Sequence, residues 1–447
     1  MAAAMKRFTR ARGLLGMLAL AAIAAGLAPL LAADQAAAQA KPGKLTIGIV
    51  TFLSGGAAGP FGVPARNGAE ILIENLNQGK LPAPYTDKGV GGVPIETVFV
   101  DESGGATRQV TELRNLVQRQ QVDLVIGYIS SGDCLAVAPV AEELKKLTVL
   151  FDCGTPRIFE DQPHKYVFRT AGHAILDSVG AARYLLSRKP NLKSIAGINQ
   201  NYAWGQDSWN DFKASVLALK PGVTEASVQF PKLFAGQYGA EISALLGASP
   251  EAVHSSFWGG DLEALILQGA PRGLFDKTQV VLSTGETVLA RLGRQLPDGV
   301  IVGGRGPHGP LAPDNELNRW LIAAYQERYA TPATYPVYHV AQAILGVKAA
   351  YEKAIKANGG KWPTQDQVIA AFEHLTFETP SGPIAMANGK GHQAIEGTAY
   401  GVSKLDPGTG RSRVVDVVRY EPACVNPPEG VKSADWIASG FKGARCP

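Results

Sequence analysis

Residues 122–155, VDLVIGYISSGDCLAVAPVAEELKKLTVLFDCGT, contain one strand, one helix and a second strand. The β-type run VDLVIGY ends in the small polar turn Ser130-Ser131-Gly132, SSGDCLAVAPVAEEL has helical patterning, and LTVLFDCG is a β-type run closed by Thr155. Two strands joined through a helix lie parallel, because only a crossover returns the chain to the same end of a sheet.

The same alternation extends in both directions. Towards the N-terminus, LTIGIVTFL (45–53) and PIETVFVDE (94–102) read as strands, with a Gly/Pro-rich loop (54–68) and a helix from Ala69 to about Asn77 between them. ATRQVTELRNLVQRQ (106–120) reads as a helix with Val110, Leu113, Leu116 and Val117 on one stripe. A second, similar series starts near Thr170. SIAGINQ, EASVQF, AVHSSFWGG, TQVVLST and GVIVGG alternate with helical stretches such as GQDSWNDFKASVLALK. Helical patterning returns after about Asn315, in ELNRWLIAAYQERYA, VYHVAQAILGVKAAYEKAIKANG and QDQVIAAFEHL. A final β segment, GTAYGVSKLDPGTGRSRVVDVVRY (397–420), carries a DPGTG hairpin turn. This order predicts an α/β fold of two lobes of similar construction, and the short links between them imply hinge motion.

The first forty residues read as an export signal. Lys6, Arg7, Arg10 and Arg12 precede an apolar run from Leu14 to about Leu31, and Ala38-Gln39-Ala40 is a small-x-small cleavage site. The mature chain is expected to begin near Lys41, outside the cytoplasm; the alternative is a retained N-terminal membrane anchor. The whole chain has 43 Lys+Arg and 39 Asp+Glu; removing four basic residues and Asp34 leaves 39 against 38. A near-neutral chain lacks the basic face that a nucleic-acid partner requires. The four cysteines form two local pairs, Cys134 with Cys153 and Cys424 with Cys446, each able to close a loop of about 20 residues in an oxidising compartment. For Cys134 and Cys153 the alternative is two free buried thiols.

Catalytic signatures are missing. No G-x-S-x-G, H-E-x-x-H or G-x-x-x-x-G-K-[ST] occurs, and no Cys/His spacing suits zinc. The one G-x-G-x-x-G, at 304–309, contains Pro307 and runs into Pro310, so it reads as a loop rather than a dinucleotide site. No enzyme activity, cofactor or metal is expected. The strand-end loops suit a small polar ligand instead. Ser130 and Ser131 offer hydroxyls and N–H groups to a carboxylate, or else cap the following helix. Cys153-Gly154-Thr155 is the equivalent turn after the next strand. Trp204 (NYAWGQD) and Trp258 (SSFWGGD) lie at matching strand ends, as pocket walls or lobe core. Glu286 follows TQVVLST, where its carboxylate meets a ligand ammonium or serves as an ordinary cap.

Taken in order, KLTIGIVTFLSG with NGAE, VDLVIGYISSGDCLAVAPVAEE, YVFRTAG, NYAWGQD, FWGGD and STGE resemble the branched-chain amino-acid-binding (Leu/Ile/Val-binding) type of periplasmic receptor that serves ABC importers. The resemblance runs from Lys44 to about Val418. It implies a type I periplasmic binding fold, α/β, with two Rossmann-like lobes, three crossings and a ligand cleft between the lobes. It also implies lobe 1 at 41–171 plus 310–376, lobe 2 at 172–309 plus 377–420, and a disulfide-linked tail at 421–447. By the same resemblance Ser131 and Thr155 hold a ligand carboxylate and Glu286 the α-ammonium. Trp204 and Phe61 cover the ligand from either lobe, and Trp258 lines the wall.

The implied function is an extracytoplasmic receptor, a monomer, that closes on a small carboxylate-bearing ligand, an amino acid first, and delivers it to an ABC permease. Two departures matter. The turn FDCGT replaces the family's commoner Ser-Pro-Gly or Ser-Ala-Ser, and Trp204 stands where Tyr is commoner. Both alter the pocket, which leaves open an aromatic or other amine-free acid, or a sensor role feeding a membrane signalling protein. Arg305 and His308 lie near a crossing, where they reach a second acidic group or stay on a surface loop.

Overall fold

The computed structural model describes residues 40–446. The expected export signal therefore falls, except for Ala40, outside the described residues. Among the described residues no helix is long and apolar enough to cross a membrane.

Two sheets organise the chain. The first is built on five parallel strands, β1 (Leu45–Thr51), β2 (Ile95–Asp101), β3 (Leu124–Gly127), β4 (Thr148–Leu150) and β5 (Val167–Arg169), in the order β5-β4-β3-β1-β2. The second repeats the plan with β6 (Ser194–Ile198), β7 (Thr224–Gln229), β8 (Ala252–Ser255), β9 (Gln279–Leu282) and β10 (Ile301–Gly303), in the order β10-β9-β8-β6-β7. Short strands, antiparallel to one another, extend the first sheet beyond β5: β11 (Thr376–Phe377), β12 (Ile384–Asn388) and β13 (Gln393–Ile395), the last pairing with β5 in parallel. The hairpin β14 (Thr398–Leu405) and β15 (Ser412–Tyr420) completes the second beside β10, turning at the expected DPGTG. This is the type I periplasmic binding fold.

The last lobe boundary differs from the sequence expectation. Residues 377–395 belong to the first sheet, because Gln393 pairs in parallel with Arg169 of β5. The third crossing therefore falls between β13 and β14, at Glu396 and Gly397, rather than at 377.

The crossings are bound to one another. Arg305 donates to the Gly172 carbonyl at 3.0 Å, and the Glu396 carboxylate accepts the Gly172 N–H at 2.8 Å and Gln342 Nε2 at 3.0 Å. Both disulfides are formed, Cys134–Cys153 tying the Ser131–Leu144 helix to the turn after β4, and Cys424–Cys446 closing the tail. The tail packs Trp436, Ile437 and Phe441 against Ile175, Leu176 and Val179 of the second lobe. Replacing Cys424 and Cys446 by Ala is expected to cost about 3 kcal/mol, the loop-closure value for a ring of this size. Urea unfolding of the two forms checks it.

Candidate functional site

The carboxyl ends of β3 and β4 face the second lobe across a tight cleft. Ile129, Ser131, Asp152, Gly154 and Tyr335 enter it from the first lobe, Tyr202, Trp204, Trp258 and Thr284 from the second, and Arg305 from a crossing. The enclosed space is about 10 Å³, room for one water. A groove of about 410 Å³, lined by Phe52, Ser130, Asp133, Tyr202 and Phe234, opens beside it. The space left between the lobes is thus too small for anything larger than a water.

Trp204 makes the closure. Its ring lies against Gly154, its Nε1 donates to the Ser256 carbonyl at 2.9 Å, and the Arg305 guanidinium lies over it at 4.4 Å. A Cβ at position 154 would fall 2.3 Å from Trp204 Cζ3. The two sequence departures, Gly in the FDCGT turn and Trp at 204, are therefore complementary: the glycine makes room for the larger ring. Trp258 donates from Nε1 to the Tyr202 hydroxyl at 2.7 Å. Phe61 stands behind it, buried against Trp258 and Tyr335 with ring centroids 5.4 and 5.2 Å away. It backs the wall without lining the cavity.

The polar groups are more committed than the sequence suggests. Glu102, fully buried, accepts the N–H groups of Ile129 and Ser130 at 2.7–2.9 Å, and Ser130 Oγ caps the helix by accepting from Asp133 N. Ser131 Oγ accepts from Gly154 N and Thr155 N at 3.1 and 3.2 Å, which leaves its own proton to donate into the cleft. Thr155 turns away and donates to Asp207 at 2.6 Å, beside an Arg157–Asp207 ion pair, so these residues latch the lobes rather than line the cavity. Cys153 is likewise removed from the cavity, its sulfur being bonded to Cys134.

Glu286 needs the largest correction. Its carboxylate accepts the Tyr335 N–H at 3.0 Å, at the start of the Tyr335–Ala357 helix, and borders a separate cavity rather than the cleft. There it caps that helix and does not line the cleft. Burial pushes its pKa up from 4.5 to about 8, against the Tyr335 hydrogen bond. With the folded value raised, the stabilisation from its proton is full below pH 4.5 and lost as pH rises through 8. Glu286→Gln keeps an acceptor for Tyr335. It is expected to exceed the native chain in stability by about 1–2 kcal/mol at pH 9, allowing for relaxation around the ionised group, and to match it near pH 4. Chemical denaturation at both pH values checks this.

Asp152, Tyr202, Tyr335 and the inward placement of Arg305 were missed or underrated by sequence reasoning. Asp152 lies in the quoted FDCGT turn and was legible as a strand-end acid. Its Oδ1 accepts from Arg305 Nη1 and His339 Nδ1, at 2.9 and 3.0 Å, while its Oδ2 is buried with no partner among the described residues. Arg305 spends four N–H groups on Asp152, Asp177 and Gly172 and keeps one on Nη2. His308 is buried away from the cleft, bonded to Ser381. It forms, with His339 and Glu396, a buried trio of potential ligating groups at the crossings, but both ring nitrogens of His339 already face Asp152 and the Arg305 carbonyl.

A two-lobed α/β fold with an interlobe cleft lined by convergent aromatic and polar groups defines a ligand-closing protein. Residues 44–406 match the periplasmic binding protein family, and the chain belongs to it. The "Leu/Ile/Val-binding protein homolog 6" of Brucella abortus (strain 2308) is 24% identical over 362 residues, 79% of this chain and 88% of that protein. Among solved structures, a solute binding protein of an ABC transporter from Rhodopseudomonas palustris BisB5, in complex with 3,4-dihydroxybenzoic acid, superposes with a TM-score of 0.73 at 20% identity, over 85% of this chain and 98% of that one. A second, from R. palustris in complex with benzoate, gives 0.71 at 22% identity, over 87% and 100%. A leucine binding protein from Thermotoga maritima MSB8 gives 0.68 at 19% identity, over 84% and 98%. At these identities the superpositions show the fold.

Proposed function

We propose that this chain is an extracytoplasmic receptor that closes on a small aromatic carboxylate and presents it to an ABC permease. The observation that carries the ligand class is the cleft itself. Tyr202, Trp204, Trp258 and Tyr335 wall it from both lobes, and its free donors, the Ser131 and Tyr202 hydroxyls and one Arg305 N–H, suit a carboxylate. Glu286, the acid that would have marked an amino acid, faces a helix terminus instead. The fold relatives in complex with benzoate and 3,4-dihydroxybenzoic acid accord with this reading.

A second reading, an amino acid, is favoured by one atom: Asp152 Oδ2, a buried acceptor that suits an ammonium as well as a phenolic hydroxyl. A thermal-shift and calorimetric panel of benzoate, 4-hydroxybenzoate, 3,4-dihydroxybenzoate, leucine and phenylalanine separates the two. An aromatic acid at 100 times its Kd is expected to add about 2.7 kcal/mol of stability. Stabilisation by the amino acids alone overturns the aromatic assignment and returns Asp152 to the ammonium.

A further inference from the structure

On the far side of the Cys153–Thr155 turn from the cleft, a second cavity of about 450 Å³ opens between the first lobe and the disulfide-closed tail. Phe159 and Val431 supply apolar wall, and the exposed Lys390 and Lys432 stand at its rim with Asp161 and Glu429, Lys432 lying 3.8 Å from the Asp161 carboxylate. Arg169 forms the base, with no exposed surface. Its Nε donates to Gln393 Oε1, and its Nη1 to the carbonyls of Cys153 and Thr155 at 2.8 and 2.6 Å. Its Nη2 is buried and has no hydrogen-bond partner among the described residues.

The charge is answered only in part. Glu160, the one acid that supports the charge of Arg169, is committed to Ser433, accepting from both its N–H and its hydroxyl. Burial and the neighbouring Arg305 both oppose the charge of Arg169. A guanidinium out of water with an idle N–H fork is costly until an anion meets it.

We propose that this cavity is a second ligand site, for a small organic monocarboxylate with a flat apolar body. The carboxylate accepts from Arg169 Nη2, and the body lies between Phe159, whose ring already sits 5.5 Å from the guanidinium carbon, and Val431. The same guanidinium holds the two carbonyls that flank Gly154, so the site lies directly behind the cleft.

Fluorine NMR of the full exported chain with 4-fluorobenzoate tests it. A bound resonance is expected that disappears in Val431→Trp, which fills the cavity from its exposed rim and leaves every hydrogen bond of Arg169 intact. Lys432→Glu, on the solvent side, is expected to weaken the same resonance several-fold. Any resonance from the cleft is unaffected by Val431→Trp, so failure of the aromatic assignment for the cleft and failure of this site are read separately. If no bound resonance responds to Val431→Trp at millimolar probe, the proposal is overturned. Equal displacement of the resonance by inorganic phosphate overturns the carboxylate assignment, because the apolar wall would then contribute nothing.

Discussion

Gly154→Ala is expected to hold the two lobes of the ligand-free chain apart. The new methyl carbon would lie 2.3 Å from Cζ3 and 2.4 Å from Cε3 of Trp204, and 2.9 Å from Arg305 Nη2, where ordinary contact begins at 3.4 Å. The indole cannot slide aside cheaply, being fixed by Ser256 on one edge and Arg305 on its face. Since Gly154 belongs to the first lobe and Trp204 and Ser256 to the second, relief comes from opening the cleft. Overpacking of this kind costs about 2–3 kcal/mol, which shifts a two-state equilibrium roughly 30- to 150-fold towards the open form. Small-angle scattering should show a larger radius of gyration. Trp204→Ala is expected to open the chain as well, and the double variant no further than either alone, because both remove one contact. Additive effects, or an unchanged radius in Gly154→Ala, would refute the role of this contact in closure.

What the sequence made legible is what neighbouring residues decide. The strand and helix alternation, the hairpin at 406–410 and the two cysteine pairs rest on local pattern and spacing, and all are present in the structure. Trp204, Trp258 and Ser131 meet in one cavity because equivalent strand ends of facing lobes converge. What was not legible depends on distant partners. The strands at 376–395 are only two to five residues long, and their sheet is chosen by a pairing to Arg169, far back in the chain. The position of Glu286 at a strand end was read correctly. Its direction was not, because the arriving N-terminus of the Tyr335–Ala357 helix claims its carboxylate. Arg305 sits in GRGPHG, a composition that reads as a solvated loop. It is nevertheless only 4% exposed, since Asp152 and Asp177, remote in sequence, enclose it.

Arg305→Met is expected to be the most damaging single change in the molecule. The guanidinium joins Asp152 of the first lobe, Asp177 of the second and the Gly172 carbonyl of a crossing, and the Arg305 backbone lies at φ +52°, in the left-handed region. Removing one partner of a buried ionic cluster leaves the others uncompensated and costs about 3–5 kcal/mol. Asp177 supplies a check on this cause. Burial already raises its pKa to about 7, with Arg305 acting in the opposite direction, so without Arg305 its folded value climbs further. A raised carboxyl is most stabilising when protonated and loses that contribution as pH rises through its folded pKa. The deficit of Arg305→Met relative to the native chain should therefore be smaller at pH 5 than at pH 8 in urea unfolding. Arg305→Lys keeps a charge but lacks the planar fork that reaches four acceptor atoms on three residues, so it should recover only part of the loss. Full recovery by Lys would mean that charge alone holds the crossings together, and the geometric account of the hinge would fall.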